Sequence, residues 1–443
     1  MNLRFVASCA LACAVLVLSG CDSGRQPPGK VTVQVANAAS GFESLSFQRE
    51  QDENNRSEMA FKDAAAYFYD ADTYDFYVVE QTFKLDDPGR TWTFAHALEK
   101  DTHYVFVLTE VAGEIVPVVI PNPAPPAGSN AQILGLHAAR GLPAMDLYLE
   151  SPGVGIAGAT PRATFNANEQ IGPLTLPGGD YELFLTAAGN PADVLMTSQQ
   201  FILPAGTTST FVVVDENGTG TARISTLLLQ GSGSTILFDR NAPSALSAIN
   251  GATDQMPRDV AVNSQFSPPL FSATVFGEPT PYGQVPVGTL QINVTPVGNP
   301  GVLELDTQLT GVIGQRATML FSGPAGTLLP MFAADDGRRF DREARVRFMN
   351  VASQFIGLDF YVALPDGNPD QLFPIASLFS PGISSYSTLH PGDYDLYLRQ
   401  GGTLTTVMGP TRFHVDAGGI YGVLAIDGPD TATASALYLG DFP

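Results

Sequence analysis

Short runs in which apolar and polar residues alternate, broken by glycine and proline, make up most of this chain. Val31-Thr32-Val33-Gln34-Val35 alternates, as do Thr91-Trp92-Thr93-Phe94 and Arg345-Val346-Arg347-Phe348-Met349. A period of two marks a strand with one buried face. Other runs are almost wholly apolar, such as Phe211-Val212-Val213-Val214 and Tyr104-Val105-Phe106-Val107-Leu108. With 44 glycines, 34 prolines and only 15% charged residues, the pattern predicts many short strands joined by turns rather than long helices.

The strands recur in a larger pattern. Leu-Pro-Gly-Gly-Asp-Tyr-Glu-Leu-Phe-Leu at 176–185 returns as Leu-His-Pro-Gly-Asp-Tyr-Asp-Leu-Tyr-Leu at 389–398. Val-Pro-Val-Gly-Thr-Leu-Gln-Ile-Asn-Val at 285–294 is a third copy, and Asp72 to Val78 a degenerate fourth. Tyr74, Tyr181, Leu290 and Tyr394 therefore recur at intervals of just over a hundred residues. A second marker opens each unit: Asn37-Ala38-Ala39-Ser40, His137-Ala138-Ala139-Arg140, Asn250-Gly251-Ala252-Thr253 and Asn350-Val351-Ala352-Ser353. Asp146-Leu147-Tyr148 and Asp359-Phe360-Tyr361 follow in units two and four.

Units of this length, rich in short strands and turns, predict an all-β chain of four tandem immunoglobulin-like antiparallel β-sandwich domains after a cleaved lipoprotein signal peptide. The expected boundaries are 1–20 for the signal peptide and 21–30 for a lipidated tether. Sandwiches follow at 31–120 (divergent), 131–241, 242–335 (divergent) and 342–443. A proline-rich joint at 121–130 and a Gly-Ser joint at 231–234 suggest a rod of independent units. Asp335-Asp336-Gly337-Arg338-Arg339 reads either as an interdomain charge network or as a solvated hinge. The Pro-Gly-Asp-Tyr turn gives Asp180, Tyr181, Asp393 and Tyr394 structural roles, with each tyrosine ring inward and its hydroxyl near backbone, as in a tyrosine corner.

The order of alternating strand, His/Asn-Ala, Asp-x-Tyr strand, Pro-Gly-Asp-Tyr turn and Ala-Gly before an apolar strand resembles the domain-of-unknown-function 4397 family. The resemblance covers 132–232 and 343–443 well and units one and three poorly. Unit one carries a polar insertion around Gln51 to Ser57, and unit three shows no recognisable Asp-x-Tyr strand. The family implies bacterial extracytoplasmic β-sandwich modules, often in lipoproteins, and brings no catalytic residues.

The leader agrees with that location. Arg4 precedes the apolar stretch Phe5 to Val17, and Leu18-Ser19-Gly20-Cys21 forms a lipobox. Acylation of Cys21, with palmitate among its chains, would anchor the protein in a membrane, each buried methylene adding about 0.8 kcal/mol. Asp22 behind the cysteine favours the inner membrane, while a chain of outward-facing sandwiches favours the outer membrane or the periplasmic face. Cys9 and Cys13 lie in the leader, so the expected mature chain holds neither a disulfide nor a cysteine metal site.

The formal charge is −22, and all four lysines (Lys30, Lys62, Lys84, Lys100) fall in the first hundred residues. Nucleic acid, which is bound by neutralising phosphates, is an unsuitable partner. No Gly-x-Ser-x-Gly elbow, His-Glu-x-x-His pair or glycine-rich phosphate loop occurs, so no catalytic residue, metal site or cofactor is expected. Asp70, Asp72 and Asp75 sit close enough to offer oxygen ligands to calcium but lack the rest of a calcium loop, and a solvated turn is the simpler reading. Trp92, the single tryptophan, either packs in the core or faces outward as a platform for a ring or a partner.

These observations predict a non-enzymatic, envelope-anchored lipoprotein whose tandem sandwiches present surfaces to an envelope protein or glycan. The alternative is an extracytoplasmic hydrolase of polysaccharide or peptide with a dispersed site.

Overall fold

The computed structural model describes residues 30–49, 57–81, 89–216, 220–440 and 442. Its first unit runs β1 (Val31–Asn37), β2 (Ser44–Arg49), β3 (Ser57–Ala60), β4 (Ala64–Tyr69), β5 (Thr73–Glu80), β6 (Thr91–Ala97), β7 (His103–Val111) and β8 (Glu114–Asn122). These strands form two sheets, β4-β1-β7-β8 and β3-β2-β5-β6. β1 and β7 run parallel, and the other neighbours are antiparallel. Phe47, Phe76 and Phe106 meet between the sheets with ring centroids 5.2–6.2 Å apart.

The same topology is built three more times. Unit two comprises β9 (Asn130–His137), β10 (Met145–Glu150), β11 (Ala163–Phe165), β12 (Gln170–Pro177), β13 (Gly179–Ala187), β14 (Asn190–Thr197), β15 (Phe201–Leu203), β16 (Thr208–Asp215), β17 (Ile224–Gln230) and β18 (Gly233–Leu237). Unit three comprises β19 (Ser244–Ala252), β20 (Arg258–Val262), β21 (Phe271–Thr274), β22 (Gly283–Val285), β23 (Gly288–Pro296), β24 (Leu305–Gly311), β25 (Arg316–Gly323) and β26 (Leu329–Asp335). Unit four comprises β27 (Ala344–Asn350), β28 (Gly357–Ala363), β29 (Ala376–Phe379), β30 (Gly382–Leu389), β31 (Gly392–Gln400), β32 (Thr406–Val415), β33 (Ile420–Asp427) and β34 (Ala434–Leu439). In every unit the fourth, first, seventh and eighth strands share one sheet. In unit two, whose short β15 shifts the count, β16 and β17 take the last two places. The first strand always pairs in parallel with its partner near the chain end. The turn that carries the recurrent glycine requires it, since φ is positive at Gly179, Gly288 and Gly392.

The units are not beads on a rod. The sheet holding β1 and β7 packs its outer face against the sheet holding β9 and β16. Ala36, Val105, Val107 and Ile120 of unit one meet Leu134, Leu136, Val212, Val214, Leu227 and Leu229 of unit two in one buried cluster. Units three and four repeat the arrangement, with Ile249 and Leu320 against Met349, Val351, Ile420 and Leu424. The first strands of these sheets are buried on both faces: all seven residues of β1, all nine of β19 and all seven of β27 are buried. Apolar area removed from water in this way is worth about 25 cal/mol per Å2, so each pair shares a core that neither unit completes alone.

The two pairs join end to end. Each unit has an entry end, where its first strand begins, and a far end, where its first strand stops. At the far end of unit two, Gly220 bridges Gln315 and the Thr221 amide donates to the Gly314 carbonyl at 2.9 Å, at the entry end of unit three. At the far end of unit one, the Phe42 carbonyl accepts from Arg338 at 3.1 Å and Glu43 accepts from Thr388 at 3.0 Å, at the entry end of unit four. This arrangement accounts for β18, the fifth strand in its sheet. It carries the chain from the entry end of unit two back to the far end, where unit three begins.

The Asp335–Arg339 joint is a charge network built on the buried Asp335. The Asp335 carboxylate is bound by Arg347, by the Tyr282 hydroxyl at 2.7 Å and by the Thr318 hydroxyl at 2.8 Å. Arg347 also lies over the Tyr386 ring, 4.0 Å from its centroid. Burial pushes the Tyr386 phenol up to about 12, with Arg347 pulling the other way. In the first pair Arg140 reaches Glu110 at 2.6 Å, while Ser40 donates to Asp215 at 2.9 Å in the reverse direction. Burial raises the Glu110 carboxyl above its usual range even so.

Candidate binding surface

The polar residues that recur between units are engaged by their own backbone. Tyr74, Tyr181 and Tyr394 each donate a hydroxyl hydrogen bond to the carbonyl four residues earlier, at 3.2, 2.8 and 3.0 Å. The buried side-chain oxygens of Asn37, Asn250 and Asn350 each accept from the amide two residues on, at 3.0 Å. Each asparagine amide group donates to a carbonyl near the third strand. His137 stands in the same place, its Nε2 3.1 Å from the Pro143 carbonyl, and burial holds its pKa below the ordinary value.

The Asp-x-Tyr aspartates hold a hairpin. Asp146 accepts from the Gly189 amide at 2.7 Å and Asp359 from the Gly402 amide at 2.8 Å. Unit three contains the equivalent residue after all: Asp259 accepts from the Gly298 amide at 2.9 Å, within an Arg-Asp-Val-Ala strand that hides the motif. Ser46 takes this register position in unit one and accepts from Gln81 at 2.8 Å.

The remaining residues singled out in the sequence are placed as follows. Trp92 is half-buried against the core of unit one. It meets Phe42 edge-on at 5.5 Å, lies under the Arg90 guanidinium at 4.8 Å and donates to Glu114 at 2.7 Å. Asp70 is exposed and pairs with Lys30 at 2.7 Å; Asp72 accepts from the Thr73 amide at 2.7 Å. Asp75 is exposed on β5, and no cluster of three potential metal ligands occurs among the described residues. Asp180 lies exposed opposite Ile202, whereas Asp393, the equivalent in unit four, touches His414 Nδ1 at 2.8 Å. Asp416 contacts the other ring nitrogen at 3.2 Å, and the bonds to both carboxylates raise the His414 pKa. Cys21, the leader, the tether and most of the Gln51–Ser57 insertion lie outside the described residues. Among the described residues, no helix is long and apolar enough to cross a membrane.

The surface that sequence reasoning missed is the far end of units three and four. Met256, Val275 and Val297 are exposed there on unit three, and Ile356, Phe379 and Leu404 on unit four. Ile356 and Phe379 are 88% and 75% exposed, and they wall a hollow of about 500 Å3 with Leu358, Leu378 and the Gly401-Gly402 backbone. Met256 and Ile356 hold the same register position, three residues before the hairpin-holding aspartate, and Val275 matches Phe379. Exposed apolar side chains gathered on loops at one end of a sandwich mark an interaction surface. No periodicity signals them, because each lies in a turn or at the end of a short strand, outside any long alternating run. A second hollow of about 650 Å3 lies at the seam of units one, two and three, where Ile236, Phe238, Val287 and Val312 face the Lys62–Glu216 ion pair.

Among solved structures, the chain is similar to the Bacillus anthracis TIE protein at 11% identity and a TM-score of 0.16, covering 86% of this chain and 67% of that one. It is also similar to the pilus-presented adhesin Spy0125 (Cpa) at 7% identity and a TM-score of 0.14, covering 67% of this chain and 99% of that one. Scores this low carry no argument about role. No curated protein matches. Residues 244–361 match a family model, and the matched segment spans unit three, where the sequence pattern is weakest to the eye, and the first strands of unit four. The family that the chain matches over this segment is the Domain of unknown function (DUF4397).

Proposed function

We propose that this chain is a non-enzymatic scaffold of the cell envelope, tethered through Cys21, that holds a protein- or glycan-binding end away from the membrane. The observation that carries this reading is the disposition of its polar residues. The tyrosines, asparagines and aspartates that recur between units are used to fix turns, while exposed apolar side chains collect on the far-end loops of units three and four. The path of the chain adds support. Lys30, the first described residue, lies at the entry end of unit one, and those loops stand two units beyond it.

The test is fractionation of cells that express the wild type or Cys21→Ser. The wild type is expected in the membrane fraction through high-salt washing, and Cys21→Ser in the soluble periplasmic fraction or the medium. Salt-resistant membrane retention of Cys21→Ser would overturn the tether.

A further inference from the structure

Within that reading, we infer that the hollow between Ile356 and Phe379 receives an apolar anchor side chain of a protein partner with a basic rim. The hollow is a built feature. Leu358 is fully buried at its floor, Asp359 fixes the hairpin wall by accepting from the Gly402 amide at 2.8 Å, and two large apolar side chains stand at the mouth. At about 500 Å3 it takes a large aromatic or aliphatic side chain, the kind of anchor that dominates protein interfaces.

The surrounding charge selects the partner. Asp254, Glu278 and Asp430 are exposed on the far-end loops of units three and four, and Asp306 is exposed on β24 at the same end of unit three. Among the described residues the arginines nearest this end are Arg258 and Arg399, only 2% and 3% exposed. Arg258 is bound by Asp254 at 2.7 Å and Glu304 at 2.9 Å, and Arg399 is bound by Asp370. An apolar mouth in an acidic field favours a partner that surrounds its anchor with lysine or arginine. The same field repels a bilayer of anionic headgroups.

The experiment uses the full chain and two short synthetic peptides with one pattern of tryptophan and leucine, the intervening positions being lysine in one and glutamate in the other. The lysine peptide is expected to bind about tenfold or more tightly than the glutamate peptide, and less tightly as salt rises. Ile356→Asp and Phe379→Asp should each weaken binding by about tenfold, while Val154→Asp, at a 67% exposed site on unit two, leaves it unchanged. Both tested side chains are exposed, so thermal melting should match the wild type. Equal binding of the two peptides, or the same loss with Val154→Asp, overturns the proposal. So does Phe379-dependent sedimentation with vesicles of phosphatidylcholine and phosphatidylglycerol, which would make the occupant lipid. Should peptide selectivity fail while membrane retention still depends on Cys21, the partner chemistry falls and the tethered scaffold stands.

Discussion

Gly251 and Val351 hold the same position in units three and four and lie against each other across the shared core. A Cβ placed on Gly251 would sit 2.5 Å from Val351 Cγ1 and 3.1 Å from the Phe321 carbonyl oxygen. The contact of a position with its own equivalent is what a local two-fold relation between paired units produces. Gly251→Ala should therefore overpack the seam and destabilise units three and four by about 1–3 kcal/mol. Adding Val351→Ala removes the clashing methyl and should recover part of that loss, a non-additivity that a denaturant-unfolding cycle will read.

The tyrosine hydroxyls fix the turn that starts the fifth strand. Tyr181→Phe and Tyr394→Phe each remove one hydrogen bond to a backbone carbonyl, at 2.8 and 3.0 Å, and keep the ring. Each should cost about 0.5–1.5 kcal/mol. Leu290 holds the place in unit three with a fully buried side chain, so Leu290→Tyr should overpack that core and destabilise rather than restore the bond. Chemical denaturation of the full chain, one variant at a time, checks the series.

Asp335 is the acceptor of the network between units three and four. Arg347→Met leaves its carboxylate buried without its cation and should destabilise the pair by about 3–5 kcal/mol. The double variant with Asp335→Leu should be milder than Arg347→Met alone, because it removes both charges. Equal loss in the single and double variants would show that the ion pair does not matter for folding.

This network also shows where the sequence misleads. Arg345 and Arg347 alternate with Val346 and Phe348, which reads as a strand with one wet face. Both arginines are buried, at 7% and 2% exposure, beneath Tyr386 and between Asp335 and Asp336. Gln34 in β1 is hidden in the same way, donating to the Gly233 carbonyl of unit two at 2.8 Å. Polar residues can be buried when a neighbouring unit supplies their partners, and one unit's sequence cannot announce that neighbour. The wholly apolar run of β16 did carry the signal, since a strand buried on both faces reads as continuous hydrophobicity. The tyrosine turn was legible because one local hydrogen bond dictates it. The far-end apolar residues were not, because nothing local does.

Acid should loosen the fold through its buried histidines. Burial lowers the pKa of His96, His103 and His137, that of His103 to about 4. The unfolded chain then takes up protons, at an ordinary value near 6.5, that the folded chain refuses. For His103, stability is fully present above about pH 6.5 and is lost as pH falls toward 4, by at most about 1.4 kcal/mol per pH unit; His96 and His137 act in the same direction. Glu43 and Glu110, whose pKa values burial raises, act in the opposite sense, so the comparison must be made against a variant. His103→Gln should flatten the slope of stability against pH between 6.5 and 4 relative to the wild type, measured by denaturant unfolding. An unchanged slope would mean that the His103 ring is hydrated in the folded state.

The back-to-back packing decides which pieces of the chain stand alone. A fragment of 342–443 keeps its own core around Phe348, Phe360, Leu398 and Val423. It also bares Met349, Val351, Ile420 and Leu424, which in the whole chain are covered by Ile249 and Leu320. An exposed apolar sheet face of that kind drives association. The single-unit fragment should therefore dimerise through this face or bind a hydrophobic dye, whereas 242–443, which contains both halves, should be monomeric and melt in one transition. A fragment of 131–241 should likewise associate through Leu134, Leu136, Val212 and Val214, and 31–241 should not. Sedimentation velocity on the four fragments reads the outcome directly. A monomeric, dye-silent 342–443 would show that the paired faces are dispensable and that the units are independent modules.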